Sequence, residues 1–386
     1  MSKRGGKSTR LSVAFSLSFV WFTTQFGGGF ASGAQLKTYF LDYGIWCLGA
    51  VFGAQIICGI YDGFIAYYAR KHGTYDYASF NKSLYGKASP VFSVLFEILY
   101  FYTMIVVSAV AFSTGGETLS NLTGIPYLLC TAIIGVFIFI VAIYGTKIVR
   151  RVASVLSILI VIGLLVVFIP NIIAGWDSIS ANIAAMNADK APFWPAMWMM
   201  LCYAAFQITS SPAIHSQHAE ALHDAKDARF SYTIGTILNS AMIFIAMFGL
   251  LAIVDTEEYA ESSLPVMTLI DLGVGGLPLT TLLSILIILG CMSTAVNMVS
   301  AGSVRICRIF DKNFDPNAKP TKKVVLTTLI MCLAGWAIAQ FGLLALVQKG
   351  YGFMAYATYP IVLVPYVVIV ILNHRKAKKG GEKAAA

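Results

Sequence analysis

Charge is what this sequence has least of. Asp, Glu, Lys and Arg together make up 12% of its 386 residues, about half the share usual in soluble domains. Apolar residues take their place at 58%, with a mean hydropathy of +0.76. A soluble fold of this length cannot bury that much apolar surface, which excludes a soluble enzyme. No long polar linker divides the chain, which excludes a disordered binder and a soluble domain on a single anchor. The seven cysteines, Cys47, Cys58, Cys130, Cys202, Cys291, Cys307 and Cys332, contain no CxxC pair and lie in or beside apolar runs. An odd count so placed argues against a disulfide framework or a zinc knuckle. There is neither a phosphate-binding P-loop nor an HExxH motif, so ATP-driven pumping and zincin-type hydrolysis lack their residues.

What is present is a series of apolar runs of membrane-spanning length. A transmembrane helix needs about 20 mostly apolar residues. Ten such segments are expected, at 11–38, 45–68, 90–115, 126–145, 152–174, 192–214, 231–253, 278–304, 324–341 and 350–372. The first is too long and too interrupted for a signal peptide and is kept as a span.

The net charge of +9 points either to a nucleic-acid partner or to topology, and the placement of the basic residues decides. With the N-terminus on the cytoplasmic side, 24 of the 27 lysines and arginines fall on that side, leaving only Lys37, Lys190 and Lys349 outside. The acids complement them, with Asp42, Glu117, Asp177, Asp189, Asp255, Glu257, Glu258, Glu261 and Asp271 in outer loops. The charge therefore reads as orientation, with both termini cytoplasmic, a lipid bilayer as surroundings and no nucleic acid as partner.

Two spans are not ordinary apolar helix. The first contains Thr23-Thr24-Gln25-Phe26-Gly27-Gly28-Gly29-Phe30-Ala31-Ser32-Gly33 at mid-membrane depth. Each glycine costs a helix interior about 1 kcal/mol relative to alanine, so three in succession mark a break. The sixth reads Tyr203-Ala204-Ala205-Phe206-Gln207-Ile208-Thr209-Ser210-Ser211-Pro212. Pro212 cannot donate to the helix ladder and disfavours helical geometry at Ser211, which opens the helix between Gln207 and Ser211. Taken singly, each reads as a kink or a close helix contact. Taken together they open the two halves of a five-plus-five division, and five crossings per half invert the second half. Interrupted segments in corresponding positions point to a midplane binding site.

The Gly27-Gly28-Gly29-Phe30-Ala31-Ser32-Gly33 run, Ser263-Leu264-Pro265 in the long outer loop and Lys349-Gly350-Tyr351-Gly352 at the opening of span ten resemble the YkvI-like bacterial membrane proteins. More widely the chain resembles the LeuT-fold amino acid, polyamine and organocation superfamily. The resemblance implies an all-α integral membrane protein of ten transmembrane helices in a 5+5 inverted repeat, with helices 1 and 6 discontinuous. On that plan 1–10 is a cytoplasmic N-tail, 11–174 the first repeat, 175–191 an outer loop, 192–372 the second repeat and 373–386 a cytoplasmic C-tail. It further implies residence in the bacterial cytoplasmic membrane and alternating access. Phe30 stands where the neurotransmitter-symporter pattern has a sodium-binding asparagine.

An opened helix offers amides on one stump and carbonyls on the other. Amides from Gly27, Gly28, Gly29, Phe30, Ser32 and Gly33 suit a carboxylate, and carbonyls near Thr23 and Phe26 suit a cation; an amino acid satisfies both. Tyr100 and Tyr102 of span three, with Tyr203, Phe206, Gln207 and Ser210 of span six, are the expected remaining contacts, although aromatics at these positions equally read as helix packing. An organic cation caged by Trp21, Trp198 and Tyr203 is a second ligand class. In span eight, Cys291, Thr294, Asn297 and Ala301 form a small-polar stripe. The resemblance puts a sodium site at Ser293 and Thr294 with carbonyls of span one. Asn239 in span seven is a further polar candidate. No lysine lies at mid-membrane depth in span five, the device that proton-coupled relatives use, which favours sodium over the proton as coupling ion; no other cofactor is expected.

Asp62 and Glu97 are intramembrane carboxylates, hence candidates for a proton relay or an inner gate with Arg150 or Arg151. His215 and His218 share a helical face and are weak metal candidates, within a tract that reads equally as the polar end of span six. A metal-dependent membrane enzyme and a ligand sensor are the rival classes to a transporter.

Overall fold

The computed structural model describes residues 9–25, 27–144, 146–186, 191–311, 314 and 320–372, apart from the side chains of 146–157. Among them there is no strand. Seven helical segments are long and apolar enough to cross a membrane: Leu41–His72, Tyr77–Thr123, Tyr127–Tyr144, Asp227–Leu250, Gly276–Phe310, Lys322–Ala339 and Leu343–Leu372. An eighth is the pair Ile158–Ala174 and Trp176–Ala185, bent by 76° at Gly175. The first and sixth expected spans are instead divided into short helices, because glycine weakens helix formation in the first and Pro212 brings no N–H to the helix ladder in the sixth.

The first segment forms α1 (Arg10–Gln25), α2 (Gly28–Ala31) and α3 (Ala34–Tyr39). α1 buries Val13, Ala14, Leu17, Ser18, Trp21, Phe22 and Gln25, a stripe with the three-and-four spacing of one helix face. α4 (Cys47–His72) follows, then the short α5 (Tyr77–Tyr85), capped by Asp76, whose carboxylate accepts from the Ser79 amide. α6 (Ser89–Thr123) and α7 (Tyr127–Tyr144) lead to α8 (Thr146–Ala174) and α9 (Trp176–Ala185). The second interrupted segment is α10 (Phe193–Ile208) and α11 (Ser211–His218); Pro212 sits in the first turn of α11, where its missing N–H costs nothing. α12 (Asp227–Leu250), the outer-loop helices α13 (Glu257–Glu261) and α14 (Pro265–Leu272), α15 (Gly276–Phe310), α16 (Lys322–Ala339), α17 (Leu343–Ala345) and α18 (Tyr351–Thr358) complete the order.

α6 and α15 run along one another at the centre, with α7, α8 and α16 beside them, while α1, α4, α10 and α12 form a second group. Side chains turned away from both groups are apolar and exposed, as on α7 with Ile133, Val136, Phe137 and Ile140, which is the pattern of a lipid-facing surface.

The last segment departs from α-geometry at two π-helical turns, Leu346–Gly350 and Tyr359–Leu363. Wider turns leave carbonyls out of register with the helix ladder. Four of these accept tyrosine hydroxyls from elsewhere. Tyr39 donates to Val347 at 3.0 Å, Tyr102 to Gly350 at 3.4 Å, Tyr85 to Ile361 at 2.7 Å and Tyr61 to Leu363 at 3.1 Å.

Candidate substrate and ion site

The two interruptions lie against each other across one cavity. After α1 ends at Gln25, the Gly27 carbonyl accepts from the amides of Phe30 and Ala31 at 3.0 Å each, which starts α2. Gly33 then takes φ +87°, and a Cβ there would approach the Val266 side chain to 3.0 Å, so the turn into α3 requires glycine on both conformational and steric grounds. The Ser32 carbonyl accepts from the Val266 amide at 3.0 Å, fastening the outer loop to this turn. In the other interruption Thr209 lies 2.6 Å from Thr358 of α18, hydroxyl to hydroxyl.

The cavity has a volume of about 260 Å³. Span one lines it with Thr23, Thr24, Gln25, Gly27 and Gln35; span six with Phe206, Gln207, Ser210 and Ile214; α15 with Ser293, Thr294 and Asn297. A Cβ on Gly27 would stand 4.0 Å from the Thr294 Oγ1, so the hydroxyls of α15 face the gap in span one. Toward α3 the cavity is closed by rings. Phe206 stacks on Tyr351 with centroids 4.7 Å apart, and Tyr39 and Phe40 pack on Tyr203 at 5.7 and 4.8 Å. Toward α11 the lining continues through Ile214 to Thr24, which is exposed.

Of the residues expected at a substrate or ion site, Thr23, Gly27, Phe206, Gln207, Ser210, Ser293 and Thr294 are thus brought together. Others lie elsewhere. Phe30 is 1% exposed in the core, and the Ser32 hydroxyl is turned to the Gly29 carbonyl. Gly28 and Gly29 belong to α2 and are not among the lining residues; a Cβ on Gly29 would meet the side chains of Gln35 and Val110. Tyr203 is fully buried behind Phe206. Tyr100 stacks on Phe96 and lies under the Arg305 guanidinium, and Tyr102 packs on Phe353. The amide of Asn239 donates to the Gly235 carbonyl one turn earlier on α12, away from α15. Phe26 lies outside the described residues. Five polar lining residues, Thr24, Gln25, Gln35, Thr103 and Tyr351, were not among the expected contacts. Two of them carried a signal, since a glutamine in an apolar run is costly enough to imply a use.

The intramembrane acids have partners other than the expected arginines. Asp62 Oδ2 lies 3.3 Å from His215 Nε2, and His215 Nδ1 lies 2.7 Å from the Tyr232 hydroxyl, which joins α4, α11 and α12. Trp21 of α1 covers this cluster, edge-on to His215, and fits because Gly59 and Gly235 leave room for its ring. The second Asp62 oxygen is buried with no hydrogen-bond partner among the described residues. Glu97 accepts from Arg305 Nε at 2.8 Å, and that guanidinium lies over Tyr77 and Tyr100. The side chains of Arg150 and Arg151 are outside the described residues. His218 turns its Nδ1 to the Ile214 carbonyl at 2.8 Å, and among the described residues no three His, Cys, Asp or Glu side chains gather as metal ligands.

At the opposite end Lys37, 7% exposed, points its ammonium at three carbonyls that end α13: Tyr259 and Ala260 at 2.7 Å and Ser262 at 3.1 Å. It also stands over the Tyr259 ring, whose hydroxyl burial pushes well above the usual phenol range. Glu117 accepts from the Ser263 hydroxyl and holds the next residue of the same loop.

Helices interrupted around a shared cavity within an apolar, all-helical chain mark a multi-pass membrane protein of the LeuT fold. The same fold is found in solved transporters that share little sequence. A manganese transporter from Eremococcus coleocola is 15% identical, with a TM-score of 0.62 over 95% of this chain and 80% of that one. Mhp1 in its inward-facing conformation is 18% identical, with a TM-score of 0.60 over 89% and 75%. A Na+-coupled sialic acid symporter is 12% identical, with a TM-score of 0.58 over 93% and 78%. Curated proteins offer no sequence match. The amino acid permease family model matches residues 14–383, and the chain belongs to that family. It is therefore a transporter rather than an enzyme.

Proposed function

We propose that the protein is a secondary active transporter that moves an amino acid by alternating access, coupled to sodium. The observation that carries this reading is the single cavity on which both helix interruptions and the Ser293-Thr294 hydroxyls converge. Loose amides and carbonyls at the stumps suit the carboxylate and ammonium of an amino acid, and hard oxygen donors beside them suit sodium. Membership of the amino acid permease family supports the substrate class, and the sodium coupling of the sialic acid symporter supports the ion.

In this reading α1 to α3, α4, α6, α7 and α8 are five crossings, and α10 with α11, α12, α15, α16 and 343–372 are five more of inverted orientation. Both termini lie in the cytoplasm of a bacterial cell, and the chain is of the YkvI-like kind. The aromatic closure toward α3 and the exposure of Thr24 then describe an outwardly sealed, inward-facing state.

The test is accumulation of amino acids by proteoliposomes. Uptake that requires an inward sodium gradient supports the proposal; accumulation without one overturns the coupling. Exchanging Ser293 and Thr294 for alanine weakens sodium dependence more than substrate selectivity, and the reverse pattern moves the ion elsewhere. The Asp62–His215–Tyr232 cluster supports a second reading, in which the proton is the coupling ion. Uptake driven by a pH gradient alone, lost in Asp62→Asn, selects it.

A further inference from the structure

Within the cavity the hydrogen-bonding capacity is unevenly used. Thr23, Thr24 and Thr103 donate their hydroxyl protons to carbonyls of their own helices, those of Val20, Trp21 and Leu99. The three glutamines are different. Gln25 Oε1, Gln35 Oε1 and Gln207 Nε2 are buried, line the cavity and make no well-aligned hydrogen bond among the described residues, Gln207 having only the buried Tyr203 hydroxyl beside it. Gln25 and Gln35 are 4% and 3% exposed. Each stands at a stump of an interrupted helix: Gln25 ends α1, Gln35 is in the first turn of α3, and Gln207 is in the last turn of α10. Buried amide atoms without partners are uncommon, and three facing one space point to a ligand that supplies the missing partners.

We propose that these three carboxamides read an uncharged amide- or ureide-bearing side chain of the transported amino acid. The inference rests on the transporter reading given above. A carboxamide offers one donor edge and one acceptor edge, and the group that answers both edges at once is another amide or a urea. Among the described residues no Asp, Glu, Lys, Arg or His lines the cavity, so a charged side chain would lose its water there and meet no opposite charge. An aliphatic side chain would leave the three amides as they are, buried and unpaired. Phe206 and Tyr351, stacked at the cavity wall, give the planar group a flat surface to lie against. The volume of about 260 Å³ is below the roughly 300–1,000 Å³ of drug-sized ligand pockets, which suits a single amino acid and excludes a peptide.

The experiment measures thermal shift and proteoliposome uptake, in sodium, for L-glutamine, L-asparagine and L-citrulline against L-leucine, L-glutamate and L-lysine. The amide and ureide compounds should bind at least roughly 100-fold tighter than leucine, because a site built to hydrogen-bond a substrate group rejects an analogue that lacks it. Glutamate, almost the shape of glutamine, should fail with lysine. In Gln207→Leu and Gln35→Leu the preference for glutamine over leucine should shrink while binding of leucine persists; leucine binding also shows that the variants are folded. Tighter binding of leucine, glutamate or lysine overturns the inference and leaves the transporter reading standing. An unchanged preference in both variants overturns the role of the carboxamides. Folded protein that binds and accumulates none of the six overturns both.

Discussion

The two ends of the cavity each bury a charged side chain, and they treat it in opposite ways. Toward α3, the Lys37 ammonium has three donors and three backbone carbonyls to receive them, so its hydrogen bonding is complete. Those carbonyls end a short helix, where the partial charge is negative, and backbone cannot turn away as a side chain can. Toward α11, Asp62 is held only by side chains, through one oxygen, and its other oxygen has no partner. That free oxygen stays open to a second donor, which a shift of the side chains around it would supply. A cation sealed by backbone has a single arrangement, whereas an acid half-satisfied by an imidazole has a choice of two. The first suits a fixed closure and the second a part that changes state.

Substitutions at the two ends put this contrast to work. The largest effect is expected for His215→Ala, which strands Asp62: a loss of about 3–5 kcal/mol in unfolding of the detergent-solubilised protein. Adding Asp62→Asn should recover most of it, and a failure to recover would mean that His215 acts by packing against Trp21 instead. Lys37→Met comes next, with a loss of about 2–3 kcal/mol as three carbonyls lose a charged donor. Hydrogen exchange should rise across Glu257–Leu272 and stay level in α11; protection unchanged in both would remove the distinction between a fixed and a switching end. Tyr232→Phe deletes one hydrogen bond to His215 and should cost about 1 kcal/mol in the same unfolding measurement; no loss would mean that the hydroxyl is not needed to hold His215.

The smallest effect provides a reference from outside the membrane. Asp76 caps α5 in an exposed loop; burial works to raise its carboxyl, but hydrogen bonds from Ser79 and neighbouring backbone outweigh it and hold the group below the usual carboxylate value of 3.8. A carboxyl depressed in the folded state contributes stability above its unfolded value and loses it as the pH falls through the folded one. Asp76→Ala should therefore cost about 1 kcal/mol or less at neutral pH, and the difference should vanish in strong acid. A cost that persists there would assign the cap to packing.

The interruptions were legible in the sequence because glycine and proline act through the backbone, whatever surrounds them. That Ser293 and Thr294 would face the interruption in span one was legible through the family pattern. Tyr100 and Tyr102 were misplaced because α6 runs on to Thr123, beyond the expected 115, which moves the middle of that helix about one turn toward Thr103 and Val107. The partner of Asp62 could not be read at all. Nothing local to Asp62 indicates that α11 will set a histidine against it, since that pairing depends on how four helices pack around Trp21. Gln25 and Gln35 sat in plain view, but a partnerless amide is a property of the assembled cavity and cannot be seen in a string of letters.

The last segment tolerates substitution and length change very differently. A π-helical turn is one extra residue accommodated in a helix, so Leu346–Gly350 and Tyr359–Leu363 each turn everything downstream by about 100° relative to a continuous α-helix. The tyrosine hydroxyls that dock on these turns donate to backbone oxygens, which any residue in the turns would supply. Loss of a single codon within either turn would rotate the carbonyls out of reach and present a lipid-facing side to the core, so in this stretch a deletion is far more damaging than a change of residue.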